Sequence, residues 1–139
     1  MGKNTVEYII PLAPVTKKNS QRILFNKNTG RPFVMPSKAY KDYEAAALRQ
    51  LLGPLPPEPI DWPVNVMCVF GMPNRRRADL NNLLEAVTDI LVKAGVLADD
   101  NYRIVAGHDG SRCKLSKGQP YTLIRITPME DRSEGGGPA

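Results

Sequence analysis

Acidic and basic side chains are concentrated between positions 75 and 100 of the sequence. Arg75, Arg76 and Arg77 come first, Asp79 follows them, and the adjacent Asp99 and Asp100 end the segment. Mg²⁺ prefers octahedral oxygen coordination and keeps several waters, so about two to four oxygen ligands held close together suit it. Arginine can hold a phosphodiester without competing as a metal ligand. The segment therefore makes a Mg²⁺-dependent nuclease site one interpretation of these residues.

A helix must position part of this set. Between residues 79 and 94, aliphatic side chains recur at spacings of three and four, which predicts an amphipathic helix. Asp79 is a suitable N-cap for it, and Gly95 is a suitable C-cap. At about 100° per residue, the polar side of this helix carries Asn82, Glu85 and Asp89.

Asp99 and Asp100 follow the helix, in the loop before the next predicted strand. They meet Asp79 only if the chain folds back along the roughly 24 Å that a helix of this length spans. A neighbouring strand or a dimer partner could make that connection, and periodicity does not decide between them.

Each of these residues also has an ordinary structural explanation. Asp79 would serve as an N-cap in any protein. Asp89 and Lys93 have the i, i+4 spacing of a surface ion pair, and Asp99 with Asp100 is typical of a turn. The arginine run is also compatible with a solvated edge. Spacing alone leaves both interpretations open.

The remaining pattern predicts a mixed fold. We expect strands at residues 6–12, 64–72, 104–106 and 121–127, and a hairpin formed by residues 23–25 and 32–35. A further helix is expected after the N-cap Ser37 and should end near Leu52. The mostly apolar second face of residues 64–72 indicates a central strand covered on both sides.

The predicted class is therefore α/β (α+β), a single domain with a mixed β-sheet packed with two main helices. We place it in residues 1–132 and expect a disordered tail at residues 133–139.

Composition excludes several classes of protein. No stretch of the 139 residues approaches the roughly 18 to 20 apolar residues that span a bilayer, and the N-terminus lacks the apolar region of a signal peptide. We therefore expect a cytoplasmic protein without a membrane role. Cys68 and Cys113 fit no zinc-ligand spacing, and Cys68 is expected to be buried. A net charge of +5 favours an anionic partner.

Two polar segments lie outside this set. Lys17, Lys18 and Asn19 fall in a basic, turn-rich stretch from which side chains could reach phosphates. Residues 108–112 form a second polar cluster. It is either a turn held by Asp109 or a functional group, in which Asp109 joins the metal shell or Arg112 contacts DNA.

The sequence resembles the RusA family of Holliday-junction resolvases. The residues that carry the resemblance are Pro73, Asn74, Arg75, Arg76, Arg77, Ala78, Asp79, Leu80, Asn81, Asn82, Leu83, Asp89, Lys93, Ala94, Gly95, Asp99 and Asp100. In the family, a basic run leads into D-L-D-N-L, and a helix that ends in K-A-G precedes a D-D pair. The resemblance implies a homodimeric endonuclease of mixed α/β fold that cuts four-way DNA junctions with Mg²⁺.

Residue by residue, the resemblance matches Asp79 to the first motif aspartate and Asp100 to the aspartate after the helix. Asn81 stands where a second catalytic aspartate is usual, and Glu85 stands where a catalytic lysine is usual. One carboxylate is lost and another is gained a turn further along. We therefore expect Asp79, Asp100 and Glu85 to hold one or two Mg²⁺ ions, with Mn²⁺ as a substitute. Asp99 and Asn82 are expected as secondary or water-mediated ligands.

The predicted function is a Mg²⁺-dependent, structure-selective endodeoxyribonuclease that resolves four-way junctions in recombination and repair. The residues expected to bind DNA are Arg75, Arg76, Arg77, Lys17, Lys18, Asn19 and Lys93. Two alternatives remain: a catalytically inactive branched-DNA-binding protein, and a nuclease that acts on other branched DNA.

Overall fold

Two helices and seven strands make up the part of the chain that this computed structural model describes, residues 4–16 and 21–129. In chain order they are β1 Val6–Ile10, β2 Gln21–Phe25, β3 Pro32–Pro36, α1 Lys38–Gln50, β4 Val64–Met72, α2 Leu80–Lys93, β5 Val105–Gly107, β6 Arg112–Leu115 and β7 Tyr121–Pro128. This arrangement confirms the predicted mixed α+β class. The predicted phosphate contacts Lys17, Lys18 and Asn19 and the predicted tail lie outside the described residues.

The main sheet is built around β4. Its strand order is β1-β7-β4-β5, and β6 also pairs with β4. β7 runs antiparallel to β1 and to β4, whereas β5 and β6 run parallel to β4. Val64 is in register with Val105 of β5, and Val69 is in register with Arg112 of β6. β5 and β6 therefore share one edge of β4, and the residues between them lie beside its middle.

The two helices build the core with one face of this sheet. Val64, Val66 and Cys68 alternate along β4 and are almost fully buried, as expected of a strand whose one face meets a core. They share one apolar cluster with Tyr43 of α1 and Leu91 of α2. Burial raises the pKa of Cys68 to about 12, so the prediction that this thiol is buried is confirmed.

The opposite face of the sheet corrects one expectation. The central position of β4 is confirmed, but Asn65 and Met67 are only half-buried. On that face, burial is complete only towards the C-terminal end of β4, where Val69 and Gly71 are buried and the ring of Tyr121, the β7 residue in register with Gly71, packs against the glycine. An apolar strand can be sheltered by its neighbours in the sheet, and sequence does not separate that shelter from coverage by another layer.

Other boundaries differ slightly. Ser37 is the N-cap of α1, and its hydroxyl accepts a hydrogen bond from the Tyr40 N–H at 3.3 Å. α1 ends at Gln50, just short of the expected position. The predicted hairpin is confirmed as β2–β3, whereas β6 was not predicted. Among the described residues, no helix has the length and apolar character needed to cross a membrane.

Candidate active site

Asp79 begins α2, as the sequence predicts. Its Oδ1 accepts a hydrogen bond from the backbone N–H of Asn81 at 3.0 Å. The backbone of Asp79 is extended, as is typical of an N-cap residue. The side chain is exposed. The ordinary structural explanation of Asp79 is therefore confirmed, and a role in metal binding has to come in addition to capping.

A pocket of about 230 Å³ lies beside α2, further along the helix. One side, the helix wall, is formed by Asn81, Leu84, Glu85 and Thr88. The other side, the loop wall, is formed by Asp100, Val105 and His108. The helix-wall residues have spacings of three and four, so they form one stripe on α2. The structure thus brings two of the predicted carboxylates, Glu85 and Asp100, to the same pocket.

The chain reaches the loop wall by reversing at the end of α2. Gly95 has φ +82°, a conformation that suits glycine, and the following Val96 N–H donates to the Leu91 carbonyl at 2.9 Å. Val96 and Leu97 are buried, and Leu97 forms a bridge with Ile60. This return places Asp100 beside the middle of α2 and leaves Asp79 outside the residues that line the pocket.

The predicted ligand set is therefore only partly assembled. Asn82 and Asp99 are also absent from the pocket lining, whereas Asn81 is present. Within residues 4–16 and 21–129, no group of three or more His, Cys, Asp or Glu side chains is close enough to hold a metal ion. The two carboxylates and the amide oxygen of Asn81 nevertheless suit Mg²⁺, which commonly takes one or two carboxylates and fills its remaining positions with waters and phosphate oxygens.

The two adjacent aspartates have different environments. Asp99 accepts hydrogen bonds from the Asp100 N–H at 2.7 Å and from the Asn101 amide at 3.1 Å. The hydrogen bond from the Asp100 backbone N–H is the largest of the causes that lower the pKa of Asp99. The side-chain hydrogen bond with Asp99 and then partial desolvation raise the pKa of Asp100. The turn interpretation is confirmed for Asp99, while Asp100 faces the pocket.

Lys93 links the two helices. Its Nζ lies 2.8 Å from Oε2 of Glu44, whose side chain is only 18% exposed. The Tyr40 hydroxyl donates to the same carboxylate at 3.3 Å. Lys93 does not line the pocket. It forms an ion pair between α1 and α2, and its contact with DNA stays a prediction.

Two residues of the arginine run border a second hollow, which is lined mainly by residues that precede α2 in the chain. All three arginines are exposed, and Arg76 and Arg77 line this hollow of about 230 Å³, whereas Arg75 does not. The Asn74 side chain accepts a hydrogen bond from the Arg76 N–H at 2.9 Å and shapes the loop. Cationic side chains therefore precede the N-terminus of α2, and the acidic pocket follows it.

Comparison with known proteins decides the family. Residues 11–127 match the family model for endodeoxyribonuclease RusA. The crossover junction endodeoxyribonuclease RusA of Aquifex aeolicus is 31% identical over 125 residues, which cover 90% of this chain and 93% of that protein. The proteins of the same name from Escherichia coli K12 and Enterobacteria phage 82 are each 33% identical over 107 residues, 73% of this chain and 82% of theirs. The chain belongs to the RusA family.

Membership of the RusA family confirms the resemblance and the predicted class of enzyme, an endodeoxyribonuclease. In this RusA-family chain, the two positions that the resemblance marked as departures both line the pocket. Asn81 and Glu85 are neighbours on the helix wall. That the gain of Glu85 compensates for the loss at Asn81 stays a prediction.

The loop wall of this RusA-family chain also contains a residue that sequence reasoning missed. His108 is half-buried, and its Nδ1 lies 2.8 Å from the Val66 carbonyl oxygen of β4. The turn predicted after it is confirmed, since Gly110 has φ +88°. Asp109 does not line the pocket, and Arg112 donates to the Gly110 carbonyl at 3.2 Å. The available signal was that the chain's one histidine begins this polar cluster.

Proposed function

We propose that this chain is a Mg²⁺-dependent endodeoxyribonuclease that resolves four-way DNA junctions in recombination and repair. One observation carries the proposal: Glu85 and Asp100 face a single pocket together with Asn81, in a chain of the RusA family. The relatives named crossover junction endodeoxyribonucleases support the choice of substrate.

The proposed metal ligands are the carboxylates of Glu85 and Asp100 and the amide oxygen of Asn81. Asp79 stays in the proposal because it matches the first motif aspartate, and Asp99 stays as a ligand that acts through water. These residues would hold Mg²⁺, or Mn²⁺ in its place, and the chemistry that such an ion would supply there is activation of a water and stabilisation of the departing 3′ oxygen. Cutting would leave 5′-phosphate and 3′-hydroxyl ends.

Phosphates of the DNA are proposed to bind at the hollow beside the N-terminus of α2. Arg76 and Arg77 border it and Arg75 is adjacent and exposed, so the three guanidinium groups can form charge-assisted hydrogen bonds with phosphate oxygens. Lys17, Lys18 and Asn19, which lie outside the described residues, are proposed from the sequence as further phosphate contacts. Such binding is largely independent of sequence and weakens as salt increases.

A homodimer is part of the proposal. A four-way junction has two-fold symmetry, and an isologous dimer presents the same surface twice about a two-fold axis. Each protomer would then place one pocket on one of two opposed strands. The cytoplasm is the proposed location.

Cleavage of defined DNA substrates tests the proposal. Mobile four-way junctions, forks and duplexes are incubated with the full chain in Mg²⁺ or Ca²⁺. We expect paired cuts on opposed strands of the junction in Mg²⁺, and binding without cutting in Ca²⁺. Glu85→Gln and Asp100→Asn should each slow cutting by on the order of 100-fold or more, since even residues behind metal ligands contribute about 10- to 100-fold.

Asp42→Asn provides the matched control for these variants. Asp42 also carries a carboxylate, but it forms an exposed ion pair with Lys38 at 2.8 Å on α1, away from the pocket. Exposed pairs of this kind contribute little to stability, so this variant should cut at the wild-type rate. Full activity in Glu85→Gln would remove Glu85 from the proposed ligand set.

A second candidate is favoured by the identity of residue 81. Asn81 replaces an acidic ligand with a neutral one, which weakens metal binding and is compatible with a branched-DNA-binding protein that does not cut. Binding of junctions in Ca²⁺ without cutting in Mg²⁺ or Mn²⁺ would favour this candidate. Faster cutting of forks than of junctions would favour a nuclease that acts on other branched DNA.

A further inference from the structure

We propose that His108 is the catalytic proton acceptor of this pocket and takes a proton from the attacking water. The inference rests on the proposed function, because it assigns a role within the same site. His108 lines the pocket with Glu85 and Asp100. No lysine or arginine lines the pocket among the residues the structure describes, so the imidazole of His108 is the one basic nitrogen group in that lining.

The hydrogen bond to β4 fixes the tautomer of the ring. A carbonyl oxygen can only accept, so the 2.8 Å contact with the Val66 carbonyl requires that His108 Nδ1 carries the hydrogen. In the neutral imidazole, Nε2 then has a free lone pair. An unprotonated ring nitrogen at a pocket lined by carboxylates can accept a proton, which is the role of a general base.

The loop that carries His108 is held to β4 by several hydrogen bonds. The Asp109 N–H donates to the Asn65 side-chain oxygen at 2.8 Å, and the Asn65 amide donates to the Asp109 carbonyl at 3.1 Å. The Cys68 N–H donates to the Ser111 hydroxyl at 3.0 Å. These bonds occupy the gap between β5 and β6, so the imidazole is positioned by the sheet before DNA binds.

The proposed step uses only water, the phosphodiester and His108. An O–H bond of the attacking water breaks and its proton moves to Nε2 of His108. The water oxygen forms a bond to phosphorus, and the bond between phosphorus and the 3′ oxygen breaks. The 3′ oxygen takes its proton from solvent, and His108 returns its own proton to solvent before the next cut.

A purely structural histidine is the competing explanation, since the bond to Val66 alone would justify its place. His108→Asn separates the two. Asparagine can keep a side-chain N–H near the Val66 carbonyl but has no group at the position of Nε2. We expect this variant to bind junctions in Ca²⁺ as the wild type does, and to cut about 100- to 10,000-fold more slowly in Mg²⁺. Cutting within about twofold of the wild type would overturn the proposal.

Chemical rescue adds a measurement that a structural role would not affect. Imidazole in solution should accelerate His108→Ala by at least about tenfold, within the contribution of a general base. It should not accelerate Glu85→Gln, which lacks a proposed metal ligand and keeps His108. No acceleration of His108→Ala would overturn the proposal.

The tautomer can be measured independently of activity. The chain contains one histidine, so long-range ¹H–¹⁵N correlations of its ring need no assignment. At a pH where the ring is neutral, we expect the hydrogen on Nδ1, and a hydrogen on Nε2 would overturn the inference. If the wild type cuts no branched DNA, the proposed function fails, but this measurement still reports the ring geometry on which the inference depends.

Discussion

The helix wall and the loop wall of the pocket are constructed in different ways. Asn81 and Glu85 lie on the same stripe of one helix, so their separation is fixed by local geometry. Asp100 and His108 approach that stripe because the chain reverses after α2 and because β5 and β6 pair with β4. Half of the site therefore depends on contacts between residues that are close in sequence, and the other half depends on the register of a sheet.

The largest expected effect tests the helix wall alone. Glu85→Lys introduces the residue that the resemblance leads us to expect at this position, but it leaves Asp100 as the only carboxylate among the described residues that line the pocket. We expect cutting of four-way junctions to fall by on the order of 100-fold or more. Adding Asn81→Asp should restore most of the rate, because it returns a carboxylate to the same wall. A double variant as slow as Glu85→Lys would show that the two positions do not compensate.

A matched pair of glycine substitutions compares the stability of the turn that ends α2 with that of the turn after His108. Gly95 ends α2 at φ +82° with nothing within 4 Å of an added Cβ, whereas Gly110 has φ +88° and an added Cβ would meet Met67 Cγ at 3.0 Å. Both alanine variants should lower the free energy of unfolding by about 1 to 3 kcal/mol through backbone strain. Gly110→Ala should lower the free energy of unfolding by more than Gly95→Ala does. It should also slow cutting, since it disturbs the loop beside His108. Urea denaturation measures the difference.

The cations outside the pocket provide a smaller contrast. Arg77→Ala should reduce the slope of log affinity against log salt for junction binding by about one, as expected for one phosphate contact. Lys93→Ala should lower stability by up to about 1 kcal/mol through loss of its half-exposed pair with Glu44. If Lys93→Ala has the same salt slope of junction binding as the wild type, the role of Lys93 is its ion pair with Glu44 between the two helices. A slope reduced by about one would establish its predicted contact with DNA.

The smallest expected effect concerns pH and the loop wall. The hydrogen bond with Asp99 is the first cause that raises the pKa of Asp100, and a proton on Asp100 competes with a metal ion. Mg²⁺-dependent cutting should therefore decline as the pH falls through that raised pKa. Asp99→Asn should move this decline to lower pH. An unchanged pH profile in Asp99→Asn would show that Asp100 does not control the acid limit.

The raised pKa of Asp100 also affects stability. Cutting should decline as the pH falls, whereas this contribution to stability is lost as the pH rises. The folded chain holds the proton on Asp100 more tightly than the unfolded chain does, because the pKa is raised on folding. The resulting contribution to stability is present below the unfolded pKa and is lost as the pH rises through the folded value. Asp99→Asn should reduce this contribution, and thermal unfolding followed at several acid pH values would detect it.

The two walls also differ in how far the sequence predicted them. α2 runs from Leu80 to Lys93 with Asp79 as its N-cap, close to the predicted helix, because burial of one face imposes a period near 3.6 on the sequence. The placement of Glu85 followed directly. Asn81 and not Asn82 lines the pocket, since the pocket lies at the border of the polar side and not at its centre.

The loop wall depends on information that periodicity does not contain. β6 has only four residues, all of them exposed, and so short an alternation of basic and apolar side chains was not enough to predict a strand. The interruption between β5 and β6, which holds His108, follows from their separate registers along β4. Asp100 was predicted from its motif, but its position beside the middle of α2, away from Asp79, required the fold.

The helix wall and the loop wall are proposed to form one metal site. Paramagnetic broadening by Mn²⁺ in the ¹⁵N-labelled full chain tests it. We predict that the amide signals of Glu85 and Asp100 broaden first and together, and that Glu85→Gln requires more Mn²⁺ for the same broadening at Asp100. Sharp signals from both residues, while Mn²⁺ broadens those around Asp42 or Glu44, would contradict it.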